Sequence, residues 1–147
     1  MQKTDKKYQI YQKILKKELI PAMGCTEPIA LAFCAAKARS ILGVIPERVE
    51  IEASGNIIKN VKSVTVPHTG GMKGISVAAA VGILAGNAEG GLEVLSNIVE
   101  EQRPAIEDYF KKAEFKVLPA NSNYVLDMTV RVFAGSEEAA VRIIDKH

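Results

Sequence analysis

The sequence lacks the features of a secreted or membrane-spanning protein. It has only two cysteines, Cys25 and Cys34, and no secretory signal, which argues for reduced thiols rather than a disulfide framework. Its longest apolar run, from Ile75 to Ala85, is interrupted by a serine and a glycine and is far shorter than the ~20 residues of a membrane span. These absences predict a cytoplasmic protein without a membrane partner.

The sequence also lacks the charge excess of a nucleic-acid-binding protein, because its net charge is +2. Basic residues do crowd into the first 17 residues, but Tyr8, Tyr11, Leu15 and Leu19 lie among them at helical spacing. This pattern predicts an amphipathic helix over Asp5–Leu19 whose lysine face is solvated. We therefore expect neither nucleic acid nor a membrane surface as a partner.

Length and composition predict one domain over residues 1–147. The chain is 48% hydrophobic, which is enough for one core, and it is too short for two domains of ordinary size. Further helices are expected at Pro28–Leu42, which Gly43 ends, and in the apolar run from Ile75. Another is expected after Gly91, with Leu92, Leu95 and Val99 on one face. Pro104 should break or kink this helix, and Ile106, Tyr109 and Phe110 continue its pattern beyond the proline.

Alternating apolar residues predict the strands. We expect strands or extended segments at Val49–Ala53, Ile57–Val66, Phe115–Leu118, Tyr124–Phe133 and Ala139–Ile144. A turn at Ser54–Asn56 should separate the first two, and Ala139–Ile144 should form the second arm of a hairpin. The sum is an α+β domain with N-terminal helices and a small, mainly antiparallel sheet covered by a helical layer on one face.

The segment Pro21–Pro28 is the first candidate site. Cys25 lies just before a predicted helix start, where unpaired N–H groups and the helix dipole favour a thiolate. Gly24 allows a tight turn and Thr26 can cap the helix. The alternative is that Cys25 is a small turn residue. Cys34, within an apolar helical run, is interpreted as a core residue rather than a ligand.

The segment Pro67–Gly74 is the second candidate site. Its three glycines allow backbone N–H groups to approach a ligand, and the helix that follows would point its N-terminus at an anion. Because Lys73 is followed by Gly74, the segment is not a nucleotide P-loop. His68 and Lys73 are candidate proton donors or charge partners, although such side chains are usually only solvated.

Three motifs together resemble the N-terminal part of the L-cysteine desulfidase family, which is related to the α chains of iron–sulfur-dependent L-serine dehydratases. They are Pro21–Pro28, Ser54–Asn60 and Pro67–Ala80. Members of that family are nearly three times as long, so the resemblance implies that this chain is a fragment or an isolated N-terminal domain, whose partner is a helical C-terminal half.

The resemblance implies a lyase that converts L-cysteine, or L-serine, to pyruvate and ammonia, with sulfide released from cysteine. It implies a [4Fe–4S] cluster in the full-length protein, held by three cysteines, of which one maps to Cys25 and two lie outside this chain. Such a reaction needs a base for the α-proton, and Lys73 and His68 are the catalytic candidates on residue type alone. The expected contacts to the small amino-acid substrate are Thr69, Gly70, Gly71, Thr26 and Glu27.

Two other functions remain open from the residues. In a pyridoxal-phosphate lyase, Lys73 would form the Schiff base and the glycine-rich segment would hold the phosphate. In a non-enzymatic regulatory domain, the same segment would bind a small anion. A homo-oligomer is also possible, because a face that docks the C-terminal half would be exposed in this chain.

We predict that these 147 residues fold but do not catalyse. A [4Fe–4S] cluster needs three or four thiolates, and the chain offers two, of which Cys34 is assigned to packing. After anaerobic reconstitution, the purified chain should hold no stoichiometric iron and should release no sulfide from L-cysteine. Turnover by this chain alone would indicate a cluster shared between chains or pyridoxal-phosphate chemistry.

Overall fold

A mixed β-sheet organises the chain, and helices pack on one of its faces. The computed structural model describes residues 7–9, 26–62, 66, 71, 73–89, 93–95, 98–121 and 126–145. In chain order the elements are β1 (Lys7–Gln9), α1 (Thr26–Leu42), β2 (Arg48–Ser54), α2 (Gly55–Lys62), α3 (Ile75–Ala85), a 3₁₀ helix (Glu100–Gln102), α4 (Arg103–Lys112), β3 (Glu114–Ala120), β4 (Leu126–Ala134) and β5 (Glu137–Asp145).

The five strands lie in the order β1-β5-β4-β2-β3. The three central strands are antiparallel, whereas β1 and β3 run parallel to their neighbours at the two edges. Pro119 is accommodated in β3 because an edge strand has one side without a ladder partner. The predicted α+β class with a helical layer is confirmed.

The register gives the sheet one apolar face and one charged face. Ile51, Val130 and Val141 are direct neighbours across β2, β4 and β5, and each is fully buried. Because side chains alternate along a strand, the residues between them point to the other face. The charged face carries Glu50, Glu52, Asp127, Thr129, Arg131 and Arg142.

Helices α1 and α3 pack against each other through small residues. A Cβ added at Gly82 of α3 would lie 2.1 Å from the carbonyl oxygen of Ala32 in α1. Only glycine permits this approach of two backbones, and the buried alanines around it keep the two helices close. Helix α1 in turn packs on β4 and β5.

Cys34 lies in this layer and is fully buried. Its Sγ donates a hydrogen bond to the carbonyl oxygen of Val141 at 3.2 Å. Burial raises the pKa of the thiol far above its ordinary value, because a thiolate there would lose its hydration. The interpretation of Cys34 as a core residue is confirmed.

Helix α4 is anchored by its aromatic residues. The hydroxyl of Tyr109 donates a hydrogen bond to the carbonyl oxygen of Pro46 at 2.8 Å, and partial burial raises its pKa. The rings of Tyr109 and Phe110 lie 6.0 and 5.5 Å, between centroids, from the ring of Phe115 in β3. These contacts hold α4 beside the edge strand.

Several sequence predictions are confirmed. Helix α1 covers Pro28–Leu42 and ends where the N–H of Gly43, at φ 89°, bonds the carbonyl oxygen of Arg39 at 2.9 Å. Helix α3 follows the glycine-rich segment, and the strands over 49–53, 115–118 and 139–144 are present, as is the described part of 124–133. The hairpin turns at Gly135, whose φ is 60°.

The predicted extended segment over Ile57–Val66 is wrong, because Gly55–Lys62 forms α2. Ile57 and Val61 are four residues apart and both buried, so they share the inner side of a helix. The predicted turn at 54–56 is instead a direct passage from β2 into α2. Residues 63–65 lie outside the described part of the chain.

The predicted helix over Asp5–Leu19 is wrong at Lys7–Gln9, which form β1. These residues pair in parallel with Glu138–Ala140 of β5. The backbone hydrogen bonds of a sheet edge replace those of a helix, and this partner is too distant in sequence to be read from local periodicity. The rest of the predicted helix lies outside the described residues.

The helix predicted after Gly91 is wrong in its first part. Residues 93–95 and 98–99 are not α-helical, and Val99 is 52% exposed instead of lying on an apolar face with Leu95. Pro104 lies in the first turn of α4, where its missing N–H needs no partner, so it starts a helix instead of kinking one. Beyond it, Ile106 is fully buried as expected.

Within the described ranges, no helix combines the length and apolar character needed to cross a membrane.

We predict that Gly82→Ala destabilises the fold. The new methyl group would meet the backbone of Ala32, so the helices must separate, and we expect a loss of about 1–3 kcal/mol or more in the free energy of unfolding. Gly55→Ala is the matched control, because its Cβ meets no neighbouring heavy atom within 4 Å. Urea denaturation checks both, and equal effects would contradict the close packing of α1 and α3.

Thiol labelling should separate the two cysteines. Cys34 should react only as fast as the chain unfolds, since its thiol is buried and protonated. Cys25, which lies outside the described residues, is predicted from the sequence to be accessible and to react at once. Mass spectrometry of labelled peptides with and without urea measures both rates. Equal rates without urea would overturn the assignment, and Cys34→Ala should leave the fast phase unchanged.

Candidate functional site: the groove at the start of helix α3

The structure describes two of the predicted site residues fully and two by backbone alone. Gly71 and Lys73 precede α3, and both are exposed. Thr26 and Glu27 form the first residues of α1. The other predicted site residues, namely Cys25, His68, Thr69 and Gly70, lie outside the described part of the chain.

Two glycines shape the backbone that leads into α3. Gly71 and Gly74 have φ values of 102° and 108°, a region that residues with a side chain rarely adopt. Gly74 is the N-cap, and it offers no side chain to cap the helix. The N–H groups of Ile75, Ser76 and Val77, which have no acceptor within the helix, are therefore left for another partner.

A groove of about 250 Å³ opens at this helix start. Four elements contribute to it besides Lys73 and Gly74: α2 gives Ile58 and Lys62, α3 gives Ile75, Ser76 and Val77, α4 gives Phe110, and β3 gives Val117. The groove thus has an apolar wall of side chains from α2, α4 and β3. Its polar end is the first turn of α3.

The groove is electropositive. Lys62 and Lys73 both line the groove, and none of its described lining residues is acidic. The partial positive charge of the α3 N-terminus adds to that of the lysines. An anionic group such as a carboxylate or a phosphate fits this end, while a short apolar group fits against Ile58, Phe110 and Val117.

The predicted proximity of the Pro21–Pro28 and Pro67–Gly74 segments stays a prediction. Helices α1 and α3 approach most closely at Ala32 and Gly82. At about 1.5 Å of rise per residue, Thr26 and Ile75 lie about 9 and 10 Å along the helix axes from that point. With the few ångströms between the two backbones added, the helix starts are within about 25 Å of each other. This limit admits a shared site without requiring one.

Sequence reasoning missed the charged face of the sheet. Glu52 pairs in register with Thr129, and Thr129 with Arg142, so the three side chains form a row across β2, β4 and β5. A pocket of about 200 Å³ lies over this row. The signal in the sequence was the polar residue at every second position of β2 and β4, but their neighbours are set by the register.

No protein-family model matches the chain, and no solved structure matches it. The chain is 46% identical over 147 residues to a UPF0597 protein of Desulfitobacterium hafniense, covering all of this chain and 34% of that protein. It is 43% identical over 141 residues to a UPF0597 protein of Treponema denticola, covering 96% of this chain and 33% of that protein.

A UPF0597 protein of Finegoldia magna is 59% identical over 91 residues, which are 62% of this chain and 22% of that protein. These names contradict the expected membership of the L-cysteine desulfidase family, since none of them is that of a desulfidase or a serine dehydratase. The chain spans about one third of the length of the first two relatives, and it is similar to that part of a UPF0597 protein.

Proposed function

We propose that the groove at the start of α3 binds the carboxylate of a small amino acid, and that the longer protein is a lyase that eliminates the β-substituent of that amino acid. The observation that carries the proposal is the meeting of an uncapped, glycine-flanked helix start with Lys62 and Lys73 beside an apolar wall. This observation carries the binding step, and the elimination is the reaction expected from the sequence motifs.

Recognition of the carboxylate follows from the donors at the polar end. The N–H groups in the first turn of α3 can donate to the carboxylate oxygens, and the ammonium groups of Lys62 and Lys73 supply the countercharge. Ser76 adds a hydroxyl from the same turn. Because no acidic side chain is among the described lining residues, the groove favours the acid group of an amino acid over its amine.

The size of the groove fits a small substrate. The groove volume of about 250 Å³ lies below the range of about 300–1,000 Å³ that is typical of pockets for drug-sized ligands, which favours a small molecule such as serine or cysteine. With the carboxylate at the helix start, the β-substituent would lie toward Ile58 and Phe110.

The proposed elimination requires a base for the α-proton. Lys73 lines the groove and is our candidate. In that role it acts as a neutral amine, and Lys62 alone then supplies the countercharge of the carboxylate. The base takes the proton from Cα, the electrons of that bond form the Cα=Cβ double bond, and the β-substituent leaves with the electrons of its bond to Cβ. Addition of water to the resulting enamine, after its rearrangement to an imine, releases pyruvate and ammonia. His68 remains a second candidate from the sequence.

The described residues do not fit the expected [4Fe–4S] cluster. Their one cysteine, Cys34, is buried and hydrogen-bonded to Val141, and they contain no group of three or more histidine, cysteine or acidic side chains suited to a metal ion. We therefore derive no step through a cluster. Cys25 lies outside the described part of the chain. If it is a cluster ligand, the other ligands would lie in the two thirds of the longer relatives that this chain does not cover.

The same geometry suits a second candidate, pyridoxal-phosphate chemistry. The helix start could hold a phosphate, and Lys73 is exposed in the groove as a Schiff-base lysine would need to be. An aldimine absorbance band after addition of pyridoxal phosphate, abolished by Lys73→Gln, would support this candidate.

We further propose that the protein acts in the cytoplasm, which rests on the expectation that its thiols are reduced.

Titration with single-function analogues tests the binding proposal. We expect propionate and L-serine to shift the amide NMR signals of Ser76 and Val77, and ethanolamine to leave them unchanged. Lys73→Gln should weaken this binding by about tenfold or more, because it removes a charged donor. Lys59→Gln is the matched control, since Lys59 is an exposed lysine of α2 that does not line the groove.

Turnover is tested on a longer relative. The UPF0597 protein of Desulfitobacterium hafniense should release pyruvate and ammonia from L-cysteine or L-serine, and replacement of its counterpart of Lys73 should abolish release. Binding without turnover in that protein would favour a non-enzymatic anion-binding role. If neither propionate nor L-serine moves the α3 signals, the proposal fails.

A further inference from the structure

We propose that the charged face of the sheet carries a second ligand site, which binds a small zwitterion such as a free α-amino acid. The site is the pocket of about 200 Å³ over β2, β4 and β5, which we call the polar-face pocket. Its lining residues are Glu52, Asn121, Asp127, Thr129, Arg131 and Arg142, together with Ala120. This inference does not rest on the proposed function of the groove.

The polar-face pocket and the groove lie on opposite faces of the sheet. Val117, which lines the groove, pairs in register with Ile51 on the apolar face. Glu52, which lines the pocket, is the next residue of β2 and points to the other face. One ligand molecule therefore cannot occupy both sites.

Two ion pairs flank the centre of the pocket. Arg142 donates from Nε and Nη2 to the two carboxylate oxygens of Asp127, at 2.9 and 2.7 Å. Arg131 donates from Nη1 to Oε1 of Glu52 at 3.1 Å. Asp127 and Arg131 lie on either side of Thr129 along β4, so both ion pairs run diagonally past Thr129.

Thr129 lies between these ion pairs and indicates that the pocket takes a ligand. It is only 5% exposed, it lines the pocket, and its hydroxyl makes no hydrogen bond within the described part of the chain. Among the described residues, the fully buried polar side-chain atoms without a partner are Arg39 Nε and Ser54 Oγ, so the hydroxyl of Thr129 opens into the pocket instead. A ligand on the pocket floor can take the place of solvent at this hydroxyl, which can donate one hydrogen bond and accept two.

Charge and size select the class of ligand. The pocket holds two guanidinium and two carboxylate groups, so its formal charge is zero and neither a simple anion nor a simple cation is favoured. Arg131 has further N–H groups for a ligand carboxylate, and Glu52 has a second oxygen for a ligand ammonium. The pocket volume of about 200 Å³ lies below the range of about 300–1,000 Å³ that is typical of pockets for drug-sized ligands, which favours a small amino acid.

The test is an amide NMR titration of the 147-residue chain with L-serine, propionate and ethanolamine. We expect L-serine to shift the signals of Glu52, Thr129 and Arg131, and we expect each single-function analogue to bind there at least about tenfold more weakly. Equal shifts with propionate alone would overturn the zwitterion assignment. No shift at these residues with L-serine would overturn the site.

Variants connect the binding to the pocket. Thr129→Val keeps the shape of the side chain and removes its hydroxyl, so it should weaken binding of L-serine by about tenfold. Arg131→Gln should do the same by removing a guanidinium group, and a thermal melt shows that each variant is folded. Undiminished binding by both folded variants would overturn the proposal.

Lys73→Gln separates this site from the groove. It should leave the shifts of Glu52, Thr129 and Arg131 intact while it weakens those of Ser76. If only the signals of the charged face respond to L-serine, the binding proposal for the groove is refuted and that for the polar-face pocket is supported. If only the signals at the start of α3 respond, the polar-face pocket is refuted and the groove is supported.

Discussion

The close contact between α1 and α3 is the constraint on which the helical layer depends. The carbonyl oxygen of Ala32 occupies the space that a side chain at Gly82 would need, so the two backbones touch directly. This contact holds both helices in one layer, in which Cys34 of α1 bonds the carbonyl oxygen of Val141 in β5. Because α3 is fixed in this way, its first turn meets α2, α4 and the edge strand β3, and the groove forms where they meet.

The two faces of the sheet differ in polarity. Its apolar face is covered by helices, while its charged face relies on side chains that satisfy one another. Asp127 shows the constraint most clearly, because its side chain is 3% exposed and its charge is matched by two hydrogen bonds from Arg142. Removing one member of a buried pair typically costs about 3–5 kcal/mol, so the sheet cannot lose Arg142 without consequence. The more exposed Arg131–Glu52 pair contributes less to stability.

The sequence correctly predicted those helices and strands whose burial pattern lies within one short segment. The apolar run after Gly74 and the alternation around Val130 identified α3 and β4, because burial on all sides or on every second residue leaves a clear period. The segment from Ile57 was misassigned, since a short apolar stretch suits a strand as well as a helix until its packing is known. Lys7–Gln9 failed for a different reason, because their partner β5 is at the other end of the chain.

By itself, the sequence determined where the backbone needs glycine and which residue types precede α3. Gly71 and Gly74 have positive φ, and Lys73 between them provides charge near the α3 N-terminus. Both features depend on the order of residues within this one segment. Only the tertiary structure decided what surrounds them, because Phe110 and Val117 reach the groove from distant elements. The row of Glu52, Thr129 and Arg142 was likewise decided by strand register, since a shift of one residue would turn each side chain to the opposite face.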